Sequence, residues 1–400
     1  MHVFFSVGEP SGDLHGANLI GELQKRTTVR ASGLGGPKML AAGCELMRDM
    51  SDLAVMGLFP VLAKLPQFWR LKKEVAQSLD QHRPDAVVLI DYPGFNWHVA
   101  RMAKERGIPV FYYGLPQVWA WATWRAAKVR RFVDHALCKL PFEEAWFKEQ
   151  GCNATYVGHP YFDELRQQRL DQEFLQRRQA AGARLVTLLP GSRNQEVKYN
   201  LPDLLKAAAK VKAACPNVKL MIASYNEPQA AVARKLVAGT GVEAHVFVGR
   251  TAELIAAADC CLACSGSVSL ELLYHAKPAV ILYRVGWLTY QYVSRMVNVR
   301  YICLVNLLAS KRPLGAARVS EGEGDEILFP EFPAWRDRSE DVAKHAIGWL
   351  QNEPVRQRLI GRLTALRSQV ASGGASARAA DYIVQALHAE QPNANCNKAA

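Results

Sequence analysis

The chain has 400 residues, which at roughly 150 residues per domain predicts two domains rather than one. Half of the residues are hydrophobic and only 22% are charged, so the composition excludes a largely disordered protein. The formal net charge of +12 indicates an anionic partner. Composition leaves that partner open among nucleic acid, an anionic lipid surface and a phosphorylated small molecule.

The start of the chain and its cysteines indicate the kind of protein. No basic segment followed by an apolar one precedes the first predicted strand, so we predict no signal peptide. The longest strongly apolar run, Leu53 to Ala63, is far shorter than the about 20 residues of a transmembrane helix, so we predict no membrane span. The nine cysteines lie scattered in mostly apolar sequence, which is typical of reduced thiols in the cytoplasm.

Short apolar runs alternate with amphipathic stretches, which predicts strands that alternate with helices. The first set of predicted strands is His2–Val7, Ala86–Ile90, Pro109–Tyr113, His135–Leu140 and Ala154–Val157. The second set, after a polar segment at 166–184, is Leu185–Leu189, Leu220–Ser224, His245–Val248, Cys260–Cys264 and Ala279–Tyr283. Such alternation favours parallel sheets with crossover helices. We therefore predict an α/β protein with two doubly wound, Rossmann-like domains that face a central cleft.

The predicted domains divide the chain near its middle. Residues 1–170 form the first domain and residues 183–350 the second. The sequence after Trp349 is helical and contains no further predicted strand, so we expect helices in 355–390 to pack back on the first domain.

Ligands of such sheets bind at the carboxyl ends of the strands, so the residues after each strand are the candidate site. After the first strand, Ser11 and Gly12 offer backbone N–H groups to an anion at a helix start. Asp13 is interpreted as a cap or first-turn acid of that helix. Glu9, in the same turn, is a candidate active-site acid, with a structural role as the alternative.

Asp91 ends a wholly apolar predicted strand. A carboxylate at the mouth of a buried strand is costly unless it is paired, hydrogen-bonded or functional. Asp91 is therefore the first candidate for a general base, and a turn-forming hydrogen bond is the structural alternative.

Two loops of the second domain have the composition of a diphosphate site. In the first, Gly191, Ser192 and Arg193 combine backbone N–H groups, a hydroxyl and a guanidinium at a helix start. In the second, Ser265–Ser267 (Ser265, Gly266, Ser267) offers a similar cradle, and Glu271 lies one helical turn later. We interpret Glu271 as a ribose ligand, with a plain helix-start glutamate as the alternative. The absence of D-x-D and Walker A motifs predicts a site without a metal ion.

A stretch rich in aromatic and basic residues has the make-up of a segment that contacts anionic lipid. The predicted membrane contacts are Phe59, Leu62, Leu65, Phe68, Trp69, Arg70, Lys72 and Lys73. A core helix with a solvated basic end is the alternative. The sequence contains no nucleic-acid-binding motif, so we do not expect nucleic acid to be the anionic partner.

Several motifs, taken in their order along the chain, resemble the lipid-A-disaccharide synthase family. They are Ser6–Asp13, Ile90–Pro93, Val118–Trp121, Leu140–Glu143, Val157–Pro160, Leu188–Arg193, Ser265–Ser267 followed by Glu271, and Asn306–Ala309. The resemblance covers residues 3–310. It implies a B-type glycosyltransferase fold and no metal at the chemistry.

The resemblance also implies a reaction and a location. UDP-2,3-diacylglucosamine would be joined to 2,3-diacylglucosamine 1-phosphate, with inversion, to give a β-1,6 disaccharide and UDP. The enzyme would act in lipid A synthesis, on the cytoplasmic face of a Gram-negative inner membrane. The oligomeric state stays open, with a homodimer as one option.

Carried over motif by motif, the resemblance implies roles for the candidate residues. Asp91 is the candidate base, with Glu9 as a second candidate or an orienting acid, and Arg193 neutralises the departing UDP. The loops at 191–192 and 265–267 hold the diphosphate, Glu271 holds the ribose and Asn306 lies on the donor side. A nucleotide-sugar 2-epimerase or a soluble glycosyltransferase of the same fold is the alternative enzyme.

Overall fold

The structure, a computed structural model, describes residues 1–50, 65–180, 182–315 and 327–396. The chain forms two compact units. Unit 1 comprises Met1–Asp163 and the chain from Gly373 onwards, and unit 2 comprises Glu164–Ser372.

Unit 1 contains a seven-stranded parallel sheet in the order β3-β2-β1-β4-β5-β6-β7. Its strands are β1 (His2–Val7), β2 (Arg30–Gly35), β3 (Glu45–Asp49), β4 (Ala86–Ile90), β5 (Val110–Tyr113), β6 (His135–Cys138) and β7 (Ala154–Tyr156). Every residue of β4 is buried, as expected of an apolar strand in a sheet that helices cover on both faces.

The helices of unit 1 follow its strands. They are α1 (Pro10–Gln24), α2 (Pro37–Ala41), α3 (Leu65–His82), α4 (Pro93–Lys104), α5 (Val118–Trp121), α6 (Ala126–Phe132) and α7 (Pro141–Glu149). Helix α8 (Tyr161–Gln167) carries the chain from unit 1 into unit 2.

Unit 2 contains a six-stranded parallel sheet in the order β10-β9-β8-β11-β12-β13. Its strands are β8 (Leu185–Leu189), β9 (Lys219–Ser224), β10 (Ala244–Val248), β11 (Cys260–Cys264), β12 (Ala279–Arg284) and β13 (Glu331–Ala334). The two parallel sheets confirm the predicted α/β class.

The helices of unit 2 surround this second sheet. They are α9 (Gln172–Ala180), α10 (Asn194–Ala214), α11 (Glu227–Ala238), α12 (Thr251–Ala257), α13 (Val268–Tyr274), α14 (Trp287–Met296), α15 (Leu304–Ala309), α16 (Ser339–Gln351) and α17 (Glu353–Val370). Among the helices of the described ranges, none combines the length and hydrophobicity of a membrane span.

The last helix, α18 (Ala375–Cys396), returns to unit 1. Ala379, Ala380, Ile383 and Leu387 belong to one apolar cluster with Leu19, Ile20 and Leu23 of α1. The Asp163 carboxylate accepts hydrogen bonds from the first N–H groups of α18, at 3.2 and 3.0 Å. We expected the whole of 355–390 to return, but α17 packs within unit 2, so α18 alone makes the return.

Candidate active site

A buried asparagine joins the two central strands of unit 1. The strand order changes direction between β1 and β4, which is where doubly wound sheets bind ligands. Asn96, fully buried on α4, donates from Nδ2 to the carbonyl oxygens of Ser6 and Asp91 at 3.1 and 2.8 Å. Its Oδ1 accepts the Ser6 hydroxyl at 2.7 Å. The loops after β1 and β4 are therefore fixed relative to each other.

Asp91 has a backbone conformation that few residues other than glycine adopt. Its φ is +46° and that of Tyr92 is +43°, each costing about 1–3 kcal/mol unless the surroundings hold it. The Tyr112 hydroxyl donates to the Asp91 carbonyl oxygen at 2.6 Å. A Cβ on Gly8 would lie 2.3 Å from the Tyr92 ring, so only glycine fits there. The strain is therefore built into the site that sequence analysis assigned to a base.

The Asp91 side chain pairs with a lysine that the sequence analysis did not identify. Lys139 Nζ lies 3.0 Å from Asp91 Oδ1, and both side chains are mostly buried. Burial lowers the pKa of Lys139, but nearby carboxylates, of which Asp91 acts most strongly, raise it by more, so its net pKa lies above the usual value. Lys139 is thus a cation at neutral pH, and its position directly after β6 was the signal that could have identified it.

The other predicted residues of the first loop divide into open and packed positions. Glu9 is partly exposed. It also raises the pKa of Lys139, by less than Asp91 and Glu143 do. Ser11 is exposed, whereas Gly12 is buried and a Cβ there would lie 2.8 Å from Val7 Cγ1. Gly12 therefore serves the packing of α1 on β1.

Asp13 caps a different helix from the one proposed. Its carboxylate accepts hydrogen bonds from the N–H groups of Gly36, Lys38 and Met39, at 2.9–3.0 Å, at the start of α2. Asp13 lies in the first turn of α1, which confirms the predicted first-turn acid, whereas its capping hydrogen bonds go to the neighbouring helix and not to its own.

In unit 2 a glutamate already occupies the backbone N–H groups that were predicted to hold a diphosphate. Glu196 Oε2 accepts from the N–H groups of Ser192 and Arg193 at 2.9 and 3.1 Å. Arg193 Nη1 lies 3.2 Å from Glu196 Oε1, and the Arg193 side chain is 61% exposed. Gly191 has φ +126°, and a Cβ there would lie 2.5 Å from Glu196 Cβ. The arrangement is a capping box at the start of α10, with the guanidinium open to solvent.

A second buried asparagine holds the strand ends of unit 2. Asn200 on α10 is 1% exposed and donates from Nδ2 to the carbonyl oxygens of Pro190 and Glu196. The same amide lies 3.3 Å from Cys264 Sγ, and its Oδ1 accepts the N–H of Arg284 at 2.8 Å. Asn200 thus links the ends of β8, β11 and β12, as Asn96 links those of β1 and β4.

The second loop that was predicted to hold a diphosphate, Ser265–Ser267, is accessible to solvent. Gly266 and Ser267 are exposed, Ser265 is partly exposed, and a Cβ on Gly266 would meet empty space. The Ser269 hydroxyl donates to the Gly266 carbonyl oxygen at 2.8 Å and fixes the turn. Glu271 follows on α13 and is buried, with 5% of its surface exposed.

Asn306 is placed inside unit 2. It is fully buried, and its Nδ2 donates to the Phe329 carbonyl oxygen at 2.7 Å and to Glu331 Oε2 at 2.9 Å. Its Oδ1 accepts the N–H groups of Leu328 and Phe329, both at 3.0 Å. Both amide hydrogens and both oxygen lone pairs are thus used within the protein. This arrangement does not support a direct donor contact, and we reassign Asn306 to fixing the chain between α15 and β13.

The predicted membrane contacts are described in part. Phe59 and Leu62, and the side chain of Leu65, lie outside the described residues. Trp69 is 65% exposed, with Lys72 Nζ 5.7 Å from its ring centre. Phe68 is partly buried, 6.1 Å from the Phe95 ring. Arg70 and Lys73 are exposed.

Solved structures identify the class of fold. The UDP-GlcNAc 2-epimerase from Neisseria meningitidis, bound to UDP-GlcNAc, superposes with a TM-score of 0.60 at 12% identity, covering 97% of this chain and 99% of that one. The calicheamicin glycosyltransferase CalG4 superposes with a TM-score of 0.54 at 14% identity, covering 96% and 98%. The fold is therefore that of the B-type glycosyltransferases and the related epimerases.

Sequence comparison identifies the family. A family model described as lipid-A-disaccharide synthetase matches residues 3–317. The lipid-A-disaccharide synthase of Myxococcus xanthus is 32% identical over 95% of this chain and 96% of its own length. That of Idiomarina loihiensis is 34% identical over 94% and 96%. The chain belongs to the lipid-A-disaccharide synthase family, whose members are UDP-sugar-dependent glycosyltransferases.

Proposed function

We propose that the enzyme transfers 2,3-diacylglucosamine from UDP to the 6-hydroxyl of 2,3-diacylglucosamine 1-phosphate, with inversion, in lipid A synthesis. The roles are assigned mainly from the position of Asp91. Its carboxylate extends from a strained backbone where the strand order of unit 1 changes direction. Family membership supports the choice of substrates.

The proposed chemistry needs one base and a set of groups that stabilise the negative charge on the leaving group. Asp91 takes the proton of the acceptor hydroxyl as the new C–O bond forms at the anomeric carbon and the bond to UDP breaks. Glu9 is the second candidate base or an orienting acid. The exposed Arg193 guanidinium, Ser192 and the open Ser265–Ser267 loop stabilise the charge that develops on UDP. Glu271 is the proposed ribose ligand.

The test is release of UDP by the purified protein supplied with both acylated sugars. Asp91→Asn and Arg193→Ala should each reduce kcat/KM by about 10²–10⁴-fold, because each removes a group that acts in the transition state. Asp80→Asn and Arg234→Ala are matched controls, since both residues form exposed ion pairs in the same units, and these variants should keep the wild-type rate. Near-normal rates for Asp91→Asn would refute the role of that residue.

The same assay separates the proposed reaction from the alternative enzymes. An epimerase would convert its nucleotide sugar without an acceptor, and a soluble glycosyltransferase would accept deacylated sugars equally well. The epimerase similarity, at 12% identity, concerns the fold alone. UDP release that requires both sugars and their acyl chains therefore favours the lipid A reaction.

We further propose that unit 1 binds the cytoplasmic face of the inner membrane through a surface of tryptophans and cations. Trp121 and Trp124 are 51% and 65% exposed, and the Arg125 guanidinium lies 4.7 and 5.0 Å from their ring centres. Such amphipathic rings beside cations suit the headgroup region of an anionic bilayer.

The exposed face of α3 lies near this surface, because α4 packs against both α3 and α6. The pKa of His98, on α4, is lowered by burial and then by the positive charges of Lys72 on α3 and Lys128 on α6. Both lysines therefore lie near the same histidine. Lys72 is beside Trp69, and Lys128 lies 5.9 Å from the ring centre of Trp124. Trp69 and Trp124 thus flank one cationic region.

Vesicle sedimentation tests the membrane contact. Wild-type protein should sediment with vesicles that contain phosphatidylglycerol, less with purely zwitterionic vesicles, and less in high salt. The double variant Trp69→Ser/Trp124→Ser should lose about tenfold or more in affinity. Trp335→Ser is the control, because Trp335 is 42% exposed but belongs to unit 2. Equal losses in the two variants would contradict the assignment of this surface.

A further inference from the structure

The ion pair between Asp91 and Lys139 joins the ends of two strands that are not adjacent in sequence. Asp91 follows β4 and Lys139 follows β6, with β5 between them in the sheet. The 3.0 Å separation of Nζ and Oδ1, with side-chain exposures of 16% and 23%, makes this a partly desolvated contact. Removing one partner of a desolvated pair is unfavourable, because the other charge is left buried without compensation.

The residues around Lys139 leave room for its side chain to extend towards Asp91. Gly114, at the end of β5, has φ +73°, and a Cβ there would lie 3.0 Å from Cδ, Cε and Nζ of Lys139. The backbone N–H of Lys139 donates to Glu143 Oε2 at 2.9 Å, which fixes the point from which the side chain extends. Backbone and neighbours thus direct the ammonium group at Asp91.

Other titratable groups around Asp91 come from each neighbouring strand end. Glu9 follows β1, and Tyr92 follows Asp91 itself. Tyr112, on β5, has a pKa raised well above its usual value by burial and then by Asp91. His159, after β7, has a pKa lowered well below its usual value by burial and then by Lys139. At neutral pH the tyrosines and the histidine are uncharged, so Lys139 is the cation that the structure places in contact with Asp91.

We propose that Lys139 is a positioning residue for the transfer reaction, which holds the Asp91 carboxylate in place for the acceptor hydroxyl. This inference rests on the proposed function, in which Asp91 is the base. The acceptor proton goes to Asp91, and Lys139 keeps its own proton throughout.

The split between kcat and KM tests this role. In Lys139→Met, kcat should fall about tenfold while the KM values of both sugars stay near those of the wild type, because the base is present but no longer held in place. Lys139→Arg, which keeps the charge and can donate to the carboxylate, should restore most of kcat. If Lys139→Met does not fold, Lys139→Gln provides the same test with the same expected direction.

Lys104→Met is the matched control. Lys104 pairs with Asp134 at 2.5 Å in the same unit. Asp134 precedes β6, so this pair lies at the amino ends of the strands, whereas Asp91 and Lys139 lie at their carboxyl ends. Removal of Lys104 should leave kcat and both KM values unchanged. An unchanged kcat in Lys139→Met would overturn the proposal, and so would a raised acceptor KM with an unchanged kcat, since that result would indicate direct contact with the acceptor phosphate.

A readout without substrates separates this inference from the proposed function. A double-mutant cycle in urea unfolding compares Asp91→Asn, Lys139→Met and the double variant. The losses of the two single variants should not add in the double variant, because either change breaks the same ion pair, whereas the losses of Asp91→Asn and Lys104→Met should add. If the coupling is present but the wild-type protein releases no UDP, the proposed function fails and the pairing stands. Additive losses for Asp91 and Lys139 overturn the role of Lys139 whatever the activity.

Discussion

Asn96 and Asn200 perform the same task in the two units, because a primary amide can link several main chains at once. Each lies on the helix that follows a central strand, and each is buried at 0–1% exposure. Both donate to carbonyl oxygens at the strand ends from which the candidate site residues extend. Neither was identified from the sequence, since an isolated asparagine in a helix has no local signal that its partners are main-chain atoms of other elements.

Replacing Asn96 by aspartate should destabilise unit 1. A carboxylate of the same shape would set oxygen against the carbonyl oxygens of Ser6 and Asp91, and burial would add its own cost. We expect the free energy of unfolding in urea to fall by about 2–3 kcal/mol. Asn153→Asp is the control, because exposed Asn153 also donates to a carbonyl oxygen, at 2.9 Å, and should lose less than about 1 kcal/mol. Equal losses would refute the role of burial.

Site residues were predictable where one residue broke a local pattern. Asp91 stood out because it ended an apolar strand, and the structure gives it a strained backbone there. Lys139 did not stand out, since its partner is 48 positions away. The hydrogen bonds from the Ser192 and Arg193 N–H groups to Glu196 could have been predicted, because a glutamate three residues after a helix cap is a known capping pattern.

At the scale of elements, α5 and α7 are joined through one buried carboxylate. Glu143 Oε1 accepts the indole N–H of Trp119 at 2.9 Å. Its Oε2 accepts the N–H groups of Lys139 and Leu140, at 2.9 and 3.0 Å, before the first turn of α7. Burial raises the pKa of Glu143, and its hydrogen bonds and Lys139 offset only part of that shift. The contact explains why tryptophan and glutamate both occur in the motifs of this region.

Glu143→Gln should therefore destabilise the protein although the side chain keeps its shape. All three partners of Glu143 donate, so the amide group of glutamine must face a donor on one side. We expect a loss of about 1–3 kcal/mol in urea unfolding. Glu144→Gln next to it removes only a surface pair with Lys148, at 2.8 Å, and should change stability by less than about 0.5 kcal/mol. If both variants unfold alike, the buried contact does not stabilise the fold.

The strands show which elements local sequence can predict. Apolar runs such as Ala86–Ile90 are confirmed within a residue or so, because strands buried on both faces must be apolar along their whole length. Strands β2, β3 and β13 were missed. β2 lies inside its sheet but reads Arg-Ala-Ser-Gly-Leu-Gly, β3 is polar, and β13 contains Pro333, a residue that strands tolerate mainly at edges. None of the three has the continuous apolar run on which the prediction of strands relied.

At the scale of the whole molecule, stability should depend on pH through partly buried histidines, among which His159 in unit 1 and His275 in unit 2 have strongly lowered pKa values. Burial is the largest cause in both cases: it lowers the pKa of His275 to about 4 and that of His159 well below its usual value. A histidine that is harder to protonate when folded stabilises the protein fully above about pH 6.5 and loses that contribution as pH falls towards 4. We therefore expect unfolding free energy to fall steadily over this interval.

Urea unfolding at about pH 7, 5.5 and 4.5 measures this dependence. His275→Gln should make the decline shallower than in the wild type. His388→Gln, at an exposed position in unit 1, should leave the slope unchanged and serves as the control. A variant His275→Gln with the wild-type slope would show that the acid sensitivity arises from other groups.

The return of α18 has a consequence for how the protein is made. Unit 2 is continuous in sequence, whereas unit 1 lacks α18 until unit 2 has been synthesised. A nascent chain emerges from its amino terminus, so unit 2 can complete its core while Leu19, Ile20 and Leu23 of α1 are not yet covered. During that interval unit 1 presents an apolar surface to the cell. Loss of α18 would make that transient exposure permanent, so the first-made part of the enzyme is protected from aggregation only after the segment that follows unit 2 has been translated.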